Sequence, residues 1–406
     1  MYHVYTWHKD RLFYFEPMSI RNFFSFSSIL LASVCSALAL EAGYYRVNNY
    51  ATKRYCYVWD NTGKLDWTKT DADMGAIELF KTKDMSDPGA VIYVQPVGDS
   101  YDLQAQGSGV YQMIQYYVSL SLRDSNEDYW VYASAQGITK YLCDGATSTR
   151  DDRGKMSTAT SSTGAAYQLW HATPISAETD EYFGVKPSIT VGTRYFQPFY
   201  ASFPFSFYSE GMKAWYISKV DEKLGVAVIS EYTNEVVPAA MPVILEMSTT
   251  AATTNRLSLL TGGGSAPADN RLSGCYFSNK YRLTSNNAKT LFNTSTMRVL
   301  SVNTEGKLVY TNSTATLNLI SNNYYLNANQ SYLKVSASAP EELLVMTQAE
   351  YESYRISGVT DITADRKQSK GMIYNLNGQP VRSSEEGTEG LPAGLYLIDG
   401  RLINIR

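Results

Sequence analysis

The feature that most constrains this chain is a weak threefold repetition within residues 43–176. Three segments, "YYRVNN" (44–49), "VIYVQPV" (91–97) and "YWVYASA" (129–135), each read as an opening strand. A second strand follows each, beginning at Tyr55, Tyr101 and Tyr141, tyrosines 46 and 40 residues apart. Each copy then closes on an apolar strand, "AIELFKT" to Phe80, "YVSLSLRD" to Leu122 and "AYQLWHATPI" to Trp170, with spacings of 42 and 48 residues. A unit of a few short strands cannot bury its apolar side alone, so copies of this size fold by sharing one core.

Three copies of that length predict a β-trefoil. In the third copy Gln168-Leu169-Trp170 resembles the Q-x-W signature of ricin-type lectin trefoils. The first copy has Glu78-Leu79-Phe80 in that place, and the second departs from it with Ser121-Leu122-Arg123. The resemblance covers about a third of the chain, and it implies that Gln168, Trp170 and Phe80 are core residues. It also implies sugar contacts within the repeats, where an acid or amide meets hydroxyls and an aromatic ring meets the C–H face of the sugar. By position the candidates are Trp59, Asp60, Asn61 and Trp67 in the first copy, Asp102, Gln104 and Tyr111 in the second, and Tyr141 and Asp144 in the third. "WDNTGKLDW" is the richest of these. Because buried aromatics are the common case, it reads first as a strand–turn–strand with Asn-Thr-Gly at the turn and both tryptophans packed inward.

Composition agrees with an all-β chain. There are 33 Tyr against 14 Phe and 6 Trp, and 44% of residues are hydrophobic. Ser, Thr, Asn and Val abound, while long Ala/Leu/Glu/Lys helical runs are missing. The net charge of −4 offers no basic surplus for a nucleic-acid partner.

Residues 1–39 read as a leader and signal peptide. "MSIRNFFSFSSILLASVCSALA" has a basic Arg21, a short apolar stretch and Ala37-x-Ala39, so cleavage is expected after Ala39 and translation is expected to start at Met18. No later apolar run is long enough to span a bilayer. The expected location is therefore outside the cell or on its outer-membrane surface, or the periplasm if the C-terminal tail is not a working signal. Beyond the leader only Cys56, Cys143 and Cys275 remain, an odd number that argues against a disulfide framework. Cys56 and Cys143 either pair in an oxidising compartment or stay thiols.

Residues 182–355 carry strand-like runs separated by Gly, Asn and Pro and are expected to form a β-sandwich region in two related halves, 182–260 and 270–355. The halves end in similar phrases, "VVPAAMPVILE" (236–246) and "YLNANQSYLKV" (325–335). Residues 356–370 read as a linker, and 371–406 as a small β-ribbon module with hairpin turns at Asn377-Gly378 and Asp399-Gly400. Its "GLPAGLYLIDGRLINIR" resembles the C-terminal sorting domains that direct cargo through the type IX secretion system, in the core Leu391-Pro392-x-Gly394-x-Tyr396. It departs in being short and in ending "NIR". The resemblance implies the secretion machinery as a partner.

Little in the sequence suggests catalysis. Beyond the leader the one histidine is His171, beside Trp170 at the end of an expected strand, and it reads as structural. No P-loop, G-x-S-x-G or dinucleotide fingerprint occurs. Carboxylate pairs at Asp71/Asp73, Asp151/Asp152, Asp221/Glu222 and Glu341/Glu342 sit in polar turns. No cofactor, metal site or catalytic residue is expected. The expectation is a non-enzymatic surface protein that recognises carbohydrate. The alternative is a structural or adhesive protein that binds other proteins, and a carboxylate-pair glycoside hydrolase stands third.

Overall fold

The computed structural model describes residues 40–58, 71–98, 100–106, 118–122, 128–135, 137–144, 152–157, 165–276, 290–320, 322–355, 372–375, 378–383, 386–398 and 401–405. Among these the chain is predominantly β-strand, and residues 348–355 are helical. The all-β reading holds.

The first ten strands form one sheet. They are β1 (Gly43–Asn49), β2 (Tyr55–Val58), β3 (Asp71–Phe80), β4 (Ile92–Val97) and β5 (Ser100–Ala105). β6 (Val118–Leu122), β7 (Asp128–Ala135), β8 (Ile138–Cys143), β9 (Asp152–Ser157) and β10 (Leu169–Pro174) complete it. Six of the strands close on themselves: β1 pairs β4, β4 pairs β5, β5 pairs β6, β6 pairs β7, β7 pairs β10 and β10 pairs β1. β2, β3, β9 and β8 continue the sheet from β1 round to β7. Alternation along the strands selects the inside. Val47, Val94, Leu103, Tyr129, Val131, Leu142 and Trp170 fill it and are almost fully buried. Trp170 donates its indole Nε1–H to the Leu142 carbonyl at 3.0 Å, which satisfies the one polar atom that its burial would strand.

The third closing strand starts later than the sequence suggests. Ala165–Gln168 is a 3-10 turn and β10 begins at Leu169. Asn49 holds this turn, donating from Nδ2 to the carbonyls of Tyr167 (2.7 Å) and Leu169 (3.2 Å). The Asp144 backbone N–H bonds the Tyr167 carbonyl as well.

Fifteen strands follow. The first are β11 (Phe183–Gly184), β12 (Ile189–Val191), β13 (Arg194–Phe199), β14 (Phe205–Phe207) and β15 (Lys213–Asp221). β16 (Val226–Tyr232), β17 (Val243–Met247), β18 (Arg256–Leu259), β19 (Leu272–Cys275) and β20 (Met297–Val302) come next. β21 (Leu308–Thr311), β22 (Asn318–Ile320), β23 (Asn323–Tyr325), β24 (Gln330–Lys334) and β25 (Glu342–Thr347) end the series. The large sheet runs β12-β13-β17-β15-β16-β25-β21-β20-β24-β19. Read outward from β25, each flank presents a hairpin, then a strand that follows it in sequence, then one that precedes it. The two flanks share local geometry as well. Ala240 and Asn329 stand at matching places in the phrases 236–246 and 325–335, and both take positive φ, 60° and 55°. Val237 N–H bonds the Phe205 carbonyl, and Leu326 N–H bonds that of Thr290. One sheet therefore carries strands from both stretches, joined by the parallel pairing of β16 with β25.

The closed sheet and this region share a core. Tyr44, Val91 and Tyr93 pack with Phe183, Phe199, Phe203 and Phe205. The Tyr44 hydroxyl donates to the Leu260 carbonyl at 2.9 Å. Gln106 and Asn329, both buried, exchange an amide hydrogen bond of 2.6 Å across the seam. Near them Tyr200 stacks on Tyr276 at 4.2 Å, above Gly274. A Cβ at Gly274 would lie 2.1 Å from the Tyr200 ring, so only glycine admits that approach.

The last four strands, β26 (Met372–Asn375), β27 (Pro380–Ser383), β28 (Gly394–Ile398) and β29 (Arg401–Ile405), form a separate sheet ordered β27-β26-β28-β29. Ile373, Leu391 and Tyr396 are its core. Gly378 has φ of 74° at the turn between β26 and β27. Asn377, Asp399 and Gly400 lie outside the described residues, as do residues 1–39 and 356–371.

Candidate functional site

The strand β7, "DYWVYASA", places residues of different character on its two faces. Tyr129 and Val131 point into the closed sheet and are 1% exposed. Trp130 and Tyr132 take the opposite face and are half-buried. On β8, Leu142 points inward and Tyr141 outward. The three outward rings gather: Trp130 meets Tyr141 edge-on at 5.4 Å between centroids, and Tyr132 lies 6.2 Å from Tyr141.

Register extends this group across the sheet. Tyr141 pairs with Tyr132, Tyr132 with Ser119 on β6, and Ser119 with Asp102 on β5. Directly paired residues share a face, so Asp102 and Tyr141, from different repeats, stand on one row. β5 is buried and half-buried in strict alternation, which puts Asp102 and Gln104 together on the outer side and Tyr101, Leu103 and Ala105 inside. The row thus offers a carboxylate, with the tilted and edge-on aromatic rings beside it, on a single outer surface.

Trp59, Asp60, Asn61, Trp67 and Tyr111 lie outside the described residues. Phe80 ends β3, and its side chain is not described. Gln168 and Trp170 are buried at 3% and 0% exposure. Asp144 corrects its expectation. It is 1% exposed, its carboxylate accepts from Arg54 Nε at 2.8 Å and again from Arg54 Nη2, and the Thr52 hydroxyl donates to it. That ion pair ties the β1–β2 turn to the end of β8 inside the protein, so Asp144 does not face a ligand. Arg54 is a strand-edge residue whose burial nothing in the local sequence announces.

Cys56, Cys143 and Cys275 are thiols rather than disulfides. Burial pushes the Cys56 thiol far up, with the nearby Asp144 carboxylate adding to it, so it is no nucleophile. His171 Nδ1 is 4.0 Å from Asp128 Oδ1 on the neighbouring β7, a partly exposed cross-strand pair. Asp221 and Glu222 have structural partners: Tyr351 donates to Asp221 at 2.8 Å, and Ser336 donates to Glu222 from its backbone N–H at 2.8 Å and its hydroxyl at 2.5 Å. Asn329, one of three N-x-S/T asparagines, is 5% exposed and lies in the seam. Among the described residues no group of three His, Cys, Asp or Glu could hold a metal, and no helix is long and apolar enough to cross a membrane.

No family model matches the sequence, and no curated protein matches it. Among solved structures, the crystal structure of Cry35Ab1 is similar at 10% sequence identity and a TM-score of 0.22, covering 54% of this chain and 81% of that one. A likeness at that level carries neither fold nor function across.

Asp102, Gln104 and Tyr141 are candidates by position, and the structure sets Trp130 and Tyr132 beside Tyr141. The period-2 alternation of "DYWVYASA" carries the signal for these two, because it sets both rings opposite the buried Tyr129 and Val131.

Proposed function

We propose that this chain is an exported, non-enzymatic binding protein that recognises carbohydrate through a lectin-like trefoil, its closed sheet of β1–β10. The observation that carries the reading is the outer surface on which Trp130, Tyr132 and Tyr141 gather in register with Asp102. Aromatic rings and a carboxylate on one rigid sheet are the pair of chemistries that a sugar demands, apolar contact for its C–H face and acceptors for its hydroxyls. Rigid strands supply that surface without ordering cost on binding. A glycan array probed with the chain from Leu40 onward tests it. Binding to at least one glycan, weakened by Trp130→Ala, is expected, and silence across the array would remove the reading.

A second reading is favoured by the C-terminal sheet, where Val381 and Leu395 are each 41% exposed and Ile403 is 39% exposed. Leu395 and Ile403 stand on opposite faces of this sheet, because Ile403 pairs with Tyr396, so they are separate apolar contacts open to a protein partner rather than one patch. The secretion machinery is the partner implied by the tail's resemblance, and an outer-membrane or extracellular location follows from it. Deleting residues 371–406 is expected to hold the protein in the periplasm. Unchanged export would end that part of the proposal. The hydrolase reading is weakened by the structural duties of Asp221 and Glu222.

A further inference from the structure

We propose that the amine released at Leu40 when the leader is removed is a structural group of the mature protein, one that fastens the N-terminus to the core of the closed sheet. The inference rests on the export reading above, with cleavage after Ala39, and gives that cleavage a second consequence. Leu40 precedes β1 and belongs to no strand, yet its side chain packs against the core inside the closed sheet. Its backbone nitrogen donates to the Tyr101 hydroxyl at 3.1 Å. One residue on, the Glu41 carbonyl accepts from the Tyr45 hydroxyl at 2.9 Å. Tyr45 on β1 and Tyr101 on β5 are both buried members of that core. β4 lies between those strands and pairs with each, so residues 40 and 41 bridge two strands that a third separates. The Tyr101 ring stands edge-on to Tyr129 at 6.2 Å between centroids, which presets the position of its hydroxyl.

Cleavage changes the chemistry of this nitrogen. Hydrolysis of the Ala39–Leu40 amide takes up one water and leaves a carboxylate on Ala39 and, at neutral pH, an ammonium on Leu40. In the precursor the nitrogen is a neutral amide with a single N–H. In the mature chain it is a cation that donates from the same place. A hydrogen bond from an ionised donor is about twice as strong as a neutral one, and half-burial of Leu40 against the core limits its screening by water. The Tyr101 hydroxyl therefore holds the mature terminus harder than it holds the precursor backbone. The closed sheet gains this fastening only once the leader is gone, so the fold tightens after processing rather than before it.

The test compares two purified chains, one beginning at Leu40 and one beginning at Ala39, each with and without Tyr101→Phe. Starting one residue earlier restores the amide at Leu40 and moves the ammonium away from it. The chain from Leu40 is expected to melt about 2 °C above the chain from Ala39. Tyr101→Phe keeps the buried ring and removes the acceptor, so it should erase that difference. An aminopeptidase gives a second reading: release of Leu40 should be severalfold slower with Tyr101 in place than in Tyr101→Phe. Equal melting of the two parent chains, or a difference that persists in Tyr101→Phe, overturns the anchor while cleavage at Ala39 stands. N-terminal sequencing of the exported protein decides the premise separately. A first residue of Leu40 supports it, and any other first residue removes the cleavage reading and the anchor with it.

Discussion

Arg54 and Asp144 show how one buried pair can govern a fold made of short strands. Both side chains are almost fully enclosed, and each is the other's main partner. Removing one partner leaves a charge stranded in the interior, which costs about 3–5 kcal/mol. Asp144→Ala is therefore expected to lower the denaturant midpoint strongly, and an Arg54→Met/Asp144→Leu double variant should recover most of the loss in urea unfolding. Glu246 acts at the surface. Burial works to raise its carboxyl, but bidentate bonds from Arg194 at 2.6 and 2.8 Å and one from the Trp215 indole at 2.7 Å outweigh it and hold the group below its usual range. A carboxyl depressed in the folded state adds stability above its unfolded value of about 4.3 and loses it as pH falls through the folded one. Melting temperature followed from pH 6 to pH 3 should drop less steeply in Glu246→Gln than in the parent.

At the scale of elements, the helical residues 348–355 are pinned to the large sheet by one tyrosine. Tyr351, 1% exposed, packs with Val226 and Val228. Its hydroxyl donates to Asp221 at 2.8 Å and accepts from Lys219 Nζ at 3.0 Å. Tyr351→Phe keeps the packing and deletes the hydrogen bonds, at a cost of about 1 kcal/mol. Faster amide exchange confined to residues 348–355 is the expected result, and unchanged exchange there would show that packing alone holds the turn. The helix lies in "QAEYESY", where Tyr351 and Tyr354 stand three residues apart in a polar run, a helical spacing. Its anchor was not legible, since Asp221 and Tyr351 are 130 residues apart.

For the whole molecule, the shared core of Tyr44, Tyr93, Phe199 and Phe203 joins the closed sheet to the large one. Phe203→Ala, in a site with no exposed surface, should cost about 3–5 kcal/mol. Because the residue sits at the seam, calorimetry is expected to show one transition in the parent, and in the variant earlier melting of both sheets. A shift of only one of two resolved transitions would mean that the sheets unfold independently. Much of the architecture was written locally. Period-2 alternation sets which residues of β5, β7 and β8 face inward, and it sets the class as all-β, because each strand's side chains must choose a face whatever their partners. The paired phrases at 236–246 and 325–335 likewise repeat a local backbone path, down to the positive φ of Ala240 and Asn329. Which strands become neighbours is a different matter. Asp102 and Tyr141 share a row only because β5 to β8 pair in one particular register, and Asp144 turns inward only because Arg54 comes to meet it from 90 residues away. Pairing and burial are settled by the free energy of the packed whole, and a contact between distant residues leaves no trace in the neighbours of either one.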